Sequence, residues 1–245
     1  MHKIYFILFS FVLICSGCDK NQNNEAYLSN ELDIFTPKDK IWAHRVNSLN
    51  NIVEKTHDFH GIEVDIFYNQ TDNNFEVKHD IESKGIDLEL FLDSVLKVKE
   101  VLFWFDYKNL NEQTDSGISK LCAILFERKL EKTSFVESFY ASNLEKFDRK
   151  IATSFWVSAT QIPKQKVERD KLYELKYKHI QNLNASMLSA NYQMYDFITE
   201  YFPNRKSNYW MSGSLTEEKI SVLNKMAHSP NVNIVLIDGN KNLLK

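Results

Sequence analysis

From Ile41 onward the chain alternates short runs rich in β-branched and aromatic residues with longer segments whose apolar residues recur at helical spacing. Such alternation is the mark of repeated βα units around a parallel sheet. Eight runs read as strands: Ile41 to His44, Gly61 to Phe67, Val101 to Tyr107, Thr133 to Ser138, Ile151 to Val157, Ala185 to Ala190, Ser207 to Met211 and Val232 to Ile237. Eight βα units close into a (β/α)₈ barrel, a fold that takes about 250 residues. The expectation is therefore an α/β protein, a TIM barrel, in one domain spanning 34–245. An open doubly wound sheet is the alternative, but six glycines in the whole chain leave little room for a glycine-rich phosphate loop.

Helical spacing marks Leu49 to Lys55, Leu88 to Leu96, Ile118 to Leu130, Leu144 to Lys150, Tyr192 to Phe202 and Glu217 to Met226. Thr216 before Glu217 and Glu218, and Ser142 three residues before Glu145, read as capped helix starts with acidic first turns. Charge is nearly balanced, 30 basic against 33 acidic residues, and the basic residues are scattered. No nucleic-acid partner is expected from that pattern.

In a barrel of this kind reactive groups sit at the C-terminal ends of the strands. Those ends are polar here. The first runs into His44-Arg45-Val46-Asn47, the second carries Glu63 and Asp65 at i and i+2, an extended run at Phe75 to Lys78 leads to His79-Asp80, and the third ends in Asp106-Tyr107-Lys108. Residues i and i+2 of a strand share a face, about 7 Å apart. Two carboxylates held together would repel each other unless one kept a proton or a cation intervened. Oxygen ligation suits one divalent cation, Mg²⁺ or Ca²⁺, with Glu63, Asp65 and Asp106 as its ligands. His44 and His79 offer the acid and the base that a phosphodiester reaction requires. Lys108 and Arg45 offer positive charge to a phosphate. The blander alternative for each motif alone is a salt bridge or a solvated loop; order and placement favour the site. His57 and His60 fall in the loop before the second strand, His179 and His228 on helix or loop surface, and Cys122 on the inner face of a helix.

At these residues, over Ile41 to Asn109, the sequence resembles the glycerophosphodiester phosphodiesterase and phospholipase C-like superfamily, which carries His-Arg, then E-x-D, then His-Asp, then a carboxylate-x-Lys. Val136-Glu137-Ser138-Phe139, Trp210 and Ile237-Asp238-Gly239 agree more loosely with its fourth, seventh and eighth strands. The resemblance implies His44 and His79 as catalytic residues, Glu63, Asp65 and Asp106 as metal ligands, and Lys108 as a phosphate contact; Arg45, Asn47 and Trp210 are the further candidates for substrate contact, with core packing as the equal alternative for Trp210 to a lid over an apolar leaving group. Departures exist: His44-Arg45-Val46-Asn47 and an Asp rather than Glu at 106 lie closer to the sphingomyelinase D-like and menorin-like branches. The implied activity is hydrolysis or cyclising transfer at a glycerol- or lipid-derived phosphodiester. A catalytically silent barrel that binds a phospholipid headgroup or an envelope partner is the competing reading.

The first residues add a location. Lys3, an apolar run from Ile4 to Ile14 and Cys15-Ser16-Gly17-Cys18 fit a signal peptide over 1–17, too short to span a bilayer. Its end resembles the lipobox of bacterial lipoproteins, with Cys18 as the lipidated residue and the polar stretch 18–33 as a tether. The expected location is the bacterial cell envelope, with the protein held to the membrane by its lipid and facing the periplasm or the cell surface.

Overall fold

The computed structural model describes residues 36–112 and 115–238; the expected leader, the tether with Cys18, and Gly239 lie outside the described residues. In chain order the strands are β1 (Ile41–Ala43), β2 (Gly61–Asn69), β3 (Asn74–Val77), β4 (Ile86–Asp87), β5 (Leu102–Tyr107), β6 (Ser134–Ser138), β7 (Ala152–Trp156), β8 (Met187–Asn191), β9 (Lys206–Met211) and β10 (Val232–Ile237). Eight of them, all but β3 and β4, run parallel. Pairing of β1 with both β10 and β2 closes the ring. The fold is a (β/α)₈ barrel, and each expected strand lies within two residues of its place.

Helices α1 (Ile52–Asp58), α2 (Leu88–Val98), α3 (Asp115–Glu127), α4 (Ala141–Leu144), α5 (Lys166–Leu172), α6 (Tyr195–Tyr201) and α7 (Glu217–Ala227) fill the connections. The start of α7 is capped as its sequence implies, with the Thr216 hydroxyl accepting from the Lys219 N–H at 3.3 Å. The expected helix over Leu144 to Lys150 does not form. A single turn, α4, ends there, and Ser142 lies inside it and caps nothing: its N-cap is Tyr140, without a side-chain bond. The reason is local, because the Asp148 carboxylate accepts from the Lys150 N–H at 2.9 Å and holds a turn that competes with the helix. The helical run from Lys166 to Asn182 was not legible, since α5 buries none of its residues and so leaves no apolar period to read. His57 lies in the last turn of α1 rather than in a loop, and His60 pairs with Asp39 at 2.7 Å.

Alternation along each strand divides the core in two. Outward residues such as Ile62, Val64, Phe103 and Phe105 pack under the helices, while Trp42, Trp104, Phe135, Ala152, Met187, Ile234 and Leu236 fill the lumen. Close packing there explains Gly61, where a Cβ would lie 2.3 Å from the Trp42 ring. This apolar plug is the floor on which the polar residues of the C-terminal ends stand.

Strand β2 outlasts its barrel partner, and Ile66 to Asn69 turn to pair antiparallel with β3, which in turn pairs with the short β4. The annex has a purpose for the site. It ties the Lys78 N–H to the Asp65 carbonyl at 3.1 Å and so delivers His79 to the rim of the barrel.

Candidate active site

Register sets the carboxylates in place. Asp65 of β2 lies beside Asp106 of β5, and Asp106 beside Glu137 of β6, while Glu63 lies one step deeper, beside Trp104. All four are buried. Oxygens of Glu63, Asp65 and Asp106 lie within 4.8 Å of one another, a spacing at which the three can hold one metal ion. A hard cation bridges oxygens up to roughly twice its metal–oxygen distance, about 4–5 Å. The donor set therefore fits a divalent ion of the Mg²⁺ or Ca²⁺ kind.

Electrostatics point the same way. Burial, then Asp65 and Asp106, push the Glu63 carboxyl well above its usual range. Burial, then Asp106, does the same to Glu137, and burial raises Asp106. Lys108 supplies the one ammonium among them, 2.6 Å from Asp65 and bonded also to Asp106. Burial pulls its pKa down, but the two aspartates outweigh that and hold the charge firmly. One cation against four carboxylates leaves excess negative charge that only protons or further cations can offset.

Backbone and polar side chains orient the acids. Arg45 takes the left-handed conformation, φ 56°, and this turns its N–H onto Glu63 at 2.6 Å. Such a conformation costs a non-glycine residue roughly 1 kcal/mol or more and is kept where surrounding bonds demand it. Asn47 grips Asp65 at both ends, donating from Nδ2 to Oδ2 at 2.5 Å and accepting from the Asp65 N–H at 2.9 Å. Both of these bonds of the Asn47 amide go to Asp65.

The two histidines meet at one cavity of about 150 Å³, lined also by Glu63, Asp65, Asp106 and Lys108. His44 continues β1, and its Nδ1 lies 2.6 Å from Asp238 at the end of β10, with Nε2 3.9 Å from Glu63. Asp238 also accepts the Gly213 N–H at 2.5 Å. Burial raises the Asp238 carboxyl, but the bonds from His44 and Gly213 prevail and hold it below its usual range. His79 is 41% exposed, with Nδ1 2.8 Å from Asp80. Both imidazoles thus turn Nδ1 to an aspartate, which leaves Nε2 as the nitrogen free for chemistry.

Arg45 and Trp210 line the same cavity. Three further residues do so or support it: Trp156, and Glu137 and Asp238, to which the loosely agreeing fourth and eighth strand ends had given no role. Ring closure was the available signal for Asp238, since a closed barrel places the end of β10 beside that of β1. For Glu137 the signal was an acid facing the lumen from the middle of the sheet, one strand from Asp106. Among the described residues the remaining histidines, His179 and His228, are exposed, and Cys122 is half-buried on α3 with its thiol pKa raised by burial.

Comparison with known proteins gives the fold an external match. No family model matches the sequence, and no curated protein matches it either. Solved structures do. A glycerophosphodiester phosphodiesterase from Parabacteroides distasonis superposes with a TM-score of 0.57 at 16% identity, covering 83% of this chain and 95% of its own. The glycerophosphodiester phosphodiesterase of Thermotoga maritima gives 0.56 at 14%, covering 84% and 96%. A protein from Silicibacter pomeroyi DSS-3, provisionally assigned as a glycerophosphoryl diester phosphodiesterase, gives 0.62 at 12%, covering 82% and 90%. The barrel described here is therefore, in its fold, the barrel of the glycerophosphodiester phosphodiesterases over nearly their whole length.

Proposed function

We propose that this protein is a phosphoric diester hydrolase, dependent on one divalent cation and acting on a glycerol- or lipid-derived phosphodiester. One observation carries the reading: a carboxylate trio suited to a hard cation, two aspartate-backed imidazoles and a half-buried lysine all line a single cavity at the C-terminal mouth of the barrel. A headgroup-binding barrel has no use for a paired acid and base.

Glu63, Asp65 and Asp106 would hold the cation, which supplies positive charge to a phosphate oxygen when bound. Asn47 and the Arg45 N–H keep two of those carboxylates aimed. Lys108, anchored by Asp65 and Asp106, and Arg45 at the rim offer positive charge to the same phosphate. One of His44 and His79, neutral, takes the proton of the attacking hydroxyl at Nε2; the other, protonated, gives one to the leaving oxygen. Each such transfer is typically worth about 10² to 10⁴ in rate.

The test is turnover of bis-p-nitrophenyl phosphate and lysophospholipids with Mg²⁺, Ca²⁺ or EDTA. Metal-dependent release is expected; none under any condition drops the enzyme and leaves a binding barrel. His44→Ala and His79→Ala should each abolish turnover but keep metal binding, whereas Asp65→Ala should lose both. Phosphorus NMR of the product identifies the attacking oxygen: a cyclic phosphate means a hydroxyl of the substrate, an open monoester means water.

The same reading places the barrel on a lipid anchor at Cys18, near membrane-derived substrates. No helix among the described residues is long and apolar enough to cross a membrane. Membrane partitioning that survives Cys18→Ser would remove the anchor.

A further inference from the structure

His79 is carried by the connection 78–85 between β3 and β4, and apolar packing does not hold that connection down. Residues 79–84 are all exposed, Ile81 at 61% among them. Ordering a backbone costs conformational entropy that burial does not offset here, so the order of this loop falls to hydrogen bonds. Ser83 supplies two of them, its N–H and its hydroxyl donating to the Asp80 carbonyl at 3.1 and 2.7 Å. Lys78 supplies another, its Nζ donating to the Ile81 carbonyl at 3.1 Å.

The lysine is aimed at that carbonyl by its surroundings. Glu76 and Lys78 share the face of the annex opposite the buried Phe75 and Val77. Glu76 Oε2 lies 2.7 Å from Nζ, and the lysine side chain is only 13% exposed. Phe67, across the ladder from Glu76, places its ring centroid 5.5 Å from the same ammonium. A carboxylate on one side and an aromatic face on another fix a long side chain that would otherwise sample many rotamers. One residue thus brackets His79 twice. Its N–H is tied to the Asp65 carbonyl at 3.1 Å, and its ammonium to a carbonyl two residues beyond the histidine.

We propose that Lys78 is a positioning residue: its ammonium, aimed by Glu76 and Phe67, clamps the turn 78–83 and so fixes the His79 imidazole over the cavity. This rests on the phosphodiesterase reading, in which His79 transfers a proton. A reacting group misplaced by about 1 Å can cost roughly 100-fold in rate. The clamp therefore acts on kcat, through His79, and not on the affinity for substrate or metal.

The test pairs turnover with a readout that needs none. On bis-p-nitrophenyl phosphate with saturating Mg²⁺, Lys78→Met should lower kcat by about 10- to 100-fold while KM and calorimetric Mg²⁺ affinity stay within about threefold. Lys78→Arg keeps a donor and should recover most of the loss. Lys84→Met removes an exposed charge from the same loop and should leave kcat unchanged. Glu76→Gln should show the same split at smaller size, which keeps the proposal testable if Lys78→Met does not fold.

The second readout is amide hydrogen exchange at Ser83, whose N–H closes the turn, measured without substrate. Exchange about tenfold faster in Lys78→Met, with the β5 and β6 amides unchanged, is expected. A rise in KM at constant kcat overturns the proposal and makes Lys78 a phosphate contact. Unchanged kcat, or unchanged exchange at Ser83, also overturns it and leaves the hydrolase standing. Faster exchange in a protein that turns over no diester upholds the clamp on the loop and overturns the hydrolase reading.

Discussion

Replacing Asp238 by Asn tests the acid–base pair at a residue that touches neither phosphate nor metal in the proposed chemistry. Asp238 accepts from His44 Nδ1 at 2.6 Å through one oxygen and from the Gly213 N–H at 2.5 Å through the other. An amide keeps the Gly213 bond through its carbonyl oxygen and turns its NH₂ towards Nδ1. The neutral ring must then accept at Nδ1 and carry its proton on Nε2, so His44 can no longer take a proton there as base, and as acid it loses the carboxylate that supports its imidazolium. Loss of one proton-transfer partner costs about 10² to 10⁴ in kcat, or roughly 3–5 kcal/mol of barrier. The fold should lose much less, about 1–2 kcal/mol, because a charge-assisted bond is exchanged for a neutral one at a side chain that is 32% exposed. The assay is kcat on bis-p-nitrophenyl phosphate with saturating cation, beside a calorimetric metal titration. A kcat within threefold of wild type, or a fall in kcat matched by loss of metal binding, would refute the orientation of His44 by Asp238.

Burial and neighbouring acids raise the folded-state pKa of Glu137 above its ordinary 4.5. Its contribution to stability is thus fully present below 4.5 and is lost as pH rises through the folded value. In EDTA, Glu137→Gln should therefore become more stable relative to wild type as pH climbs from about 4.5 towards 8; a melting difference that stays constant contradicts the raised pKa. Asn47→Ala should weaken divalent-ion binding tenfold or more by freeing Asp65, read by calorimetry, and unchanged affinity would mean that the clamp is idle. Gly61→Ala forces a methyl into the Trp42 ring and should cost about 1–3 kcal/mol, a melting shift of roughly 2–12 °C. An unshifted Tm would show that the lumen yields.

Barrel strands were legible because each is a short β-rich run bounded by polar ends, and lumen and helix-facing positions both favour apolar residues. Glu63, Asp65, Asp106, His44, His79 and Lys108 could be read because strand period and strand-end placement bring them to one rim. What escaped depended on closure and on competition between local bonds. Asp238 lies 194 positions from the histidine it holds, and only the ring makes them neighbours. The two bonds from Asn47 to Asp65 are invisible until β1 and β2 are side by side. The stretch after α4 carried helical spacing, yet the Asp148 side chain captured the backbone first.

The most direct measurement is anomalous diffraction from crystals soaked in Mn²⁺, a stand-in for the hard divalent ions that oxygen ligands prefer. The expected result is one peak per molecule, with Glu63, Asp65 and Asp106 oxygens at about 2.0–2.6 Å from it, lost in Asp65→Asn. A peak held by other residues, or none at the trio in well-occupied crystals, would contradict a metal-dependent phosphodiesterase at this site.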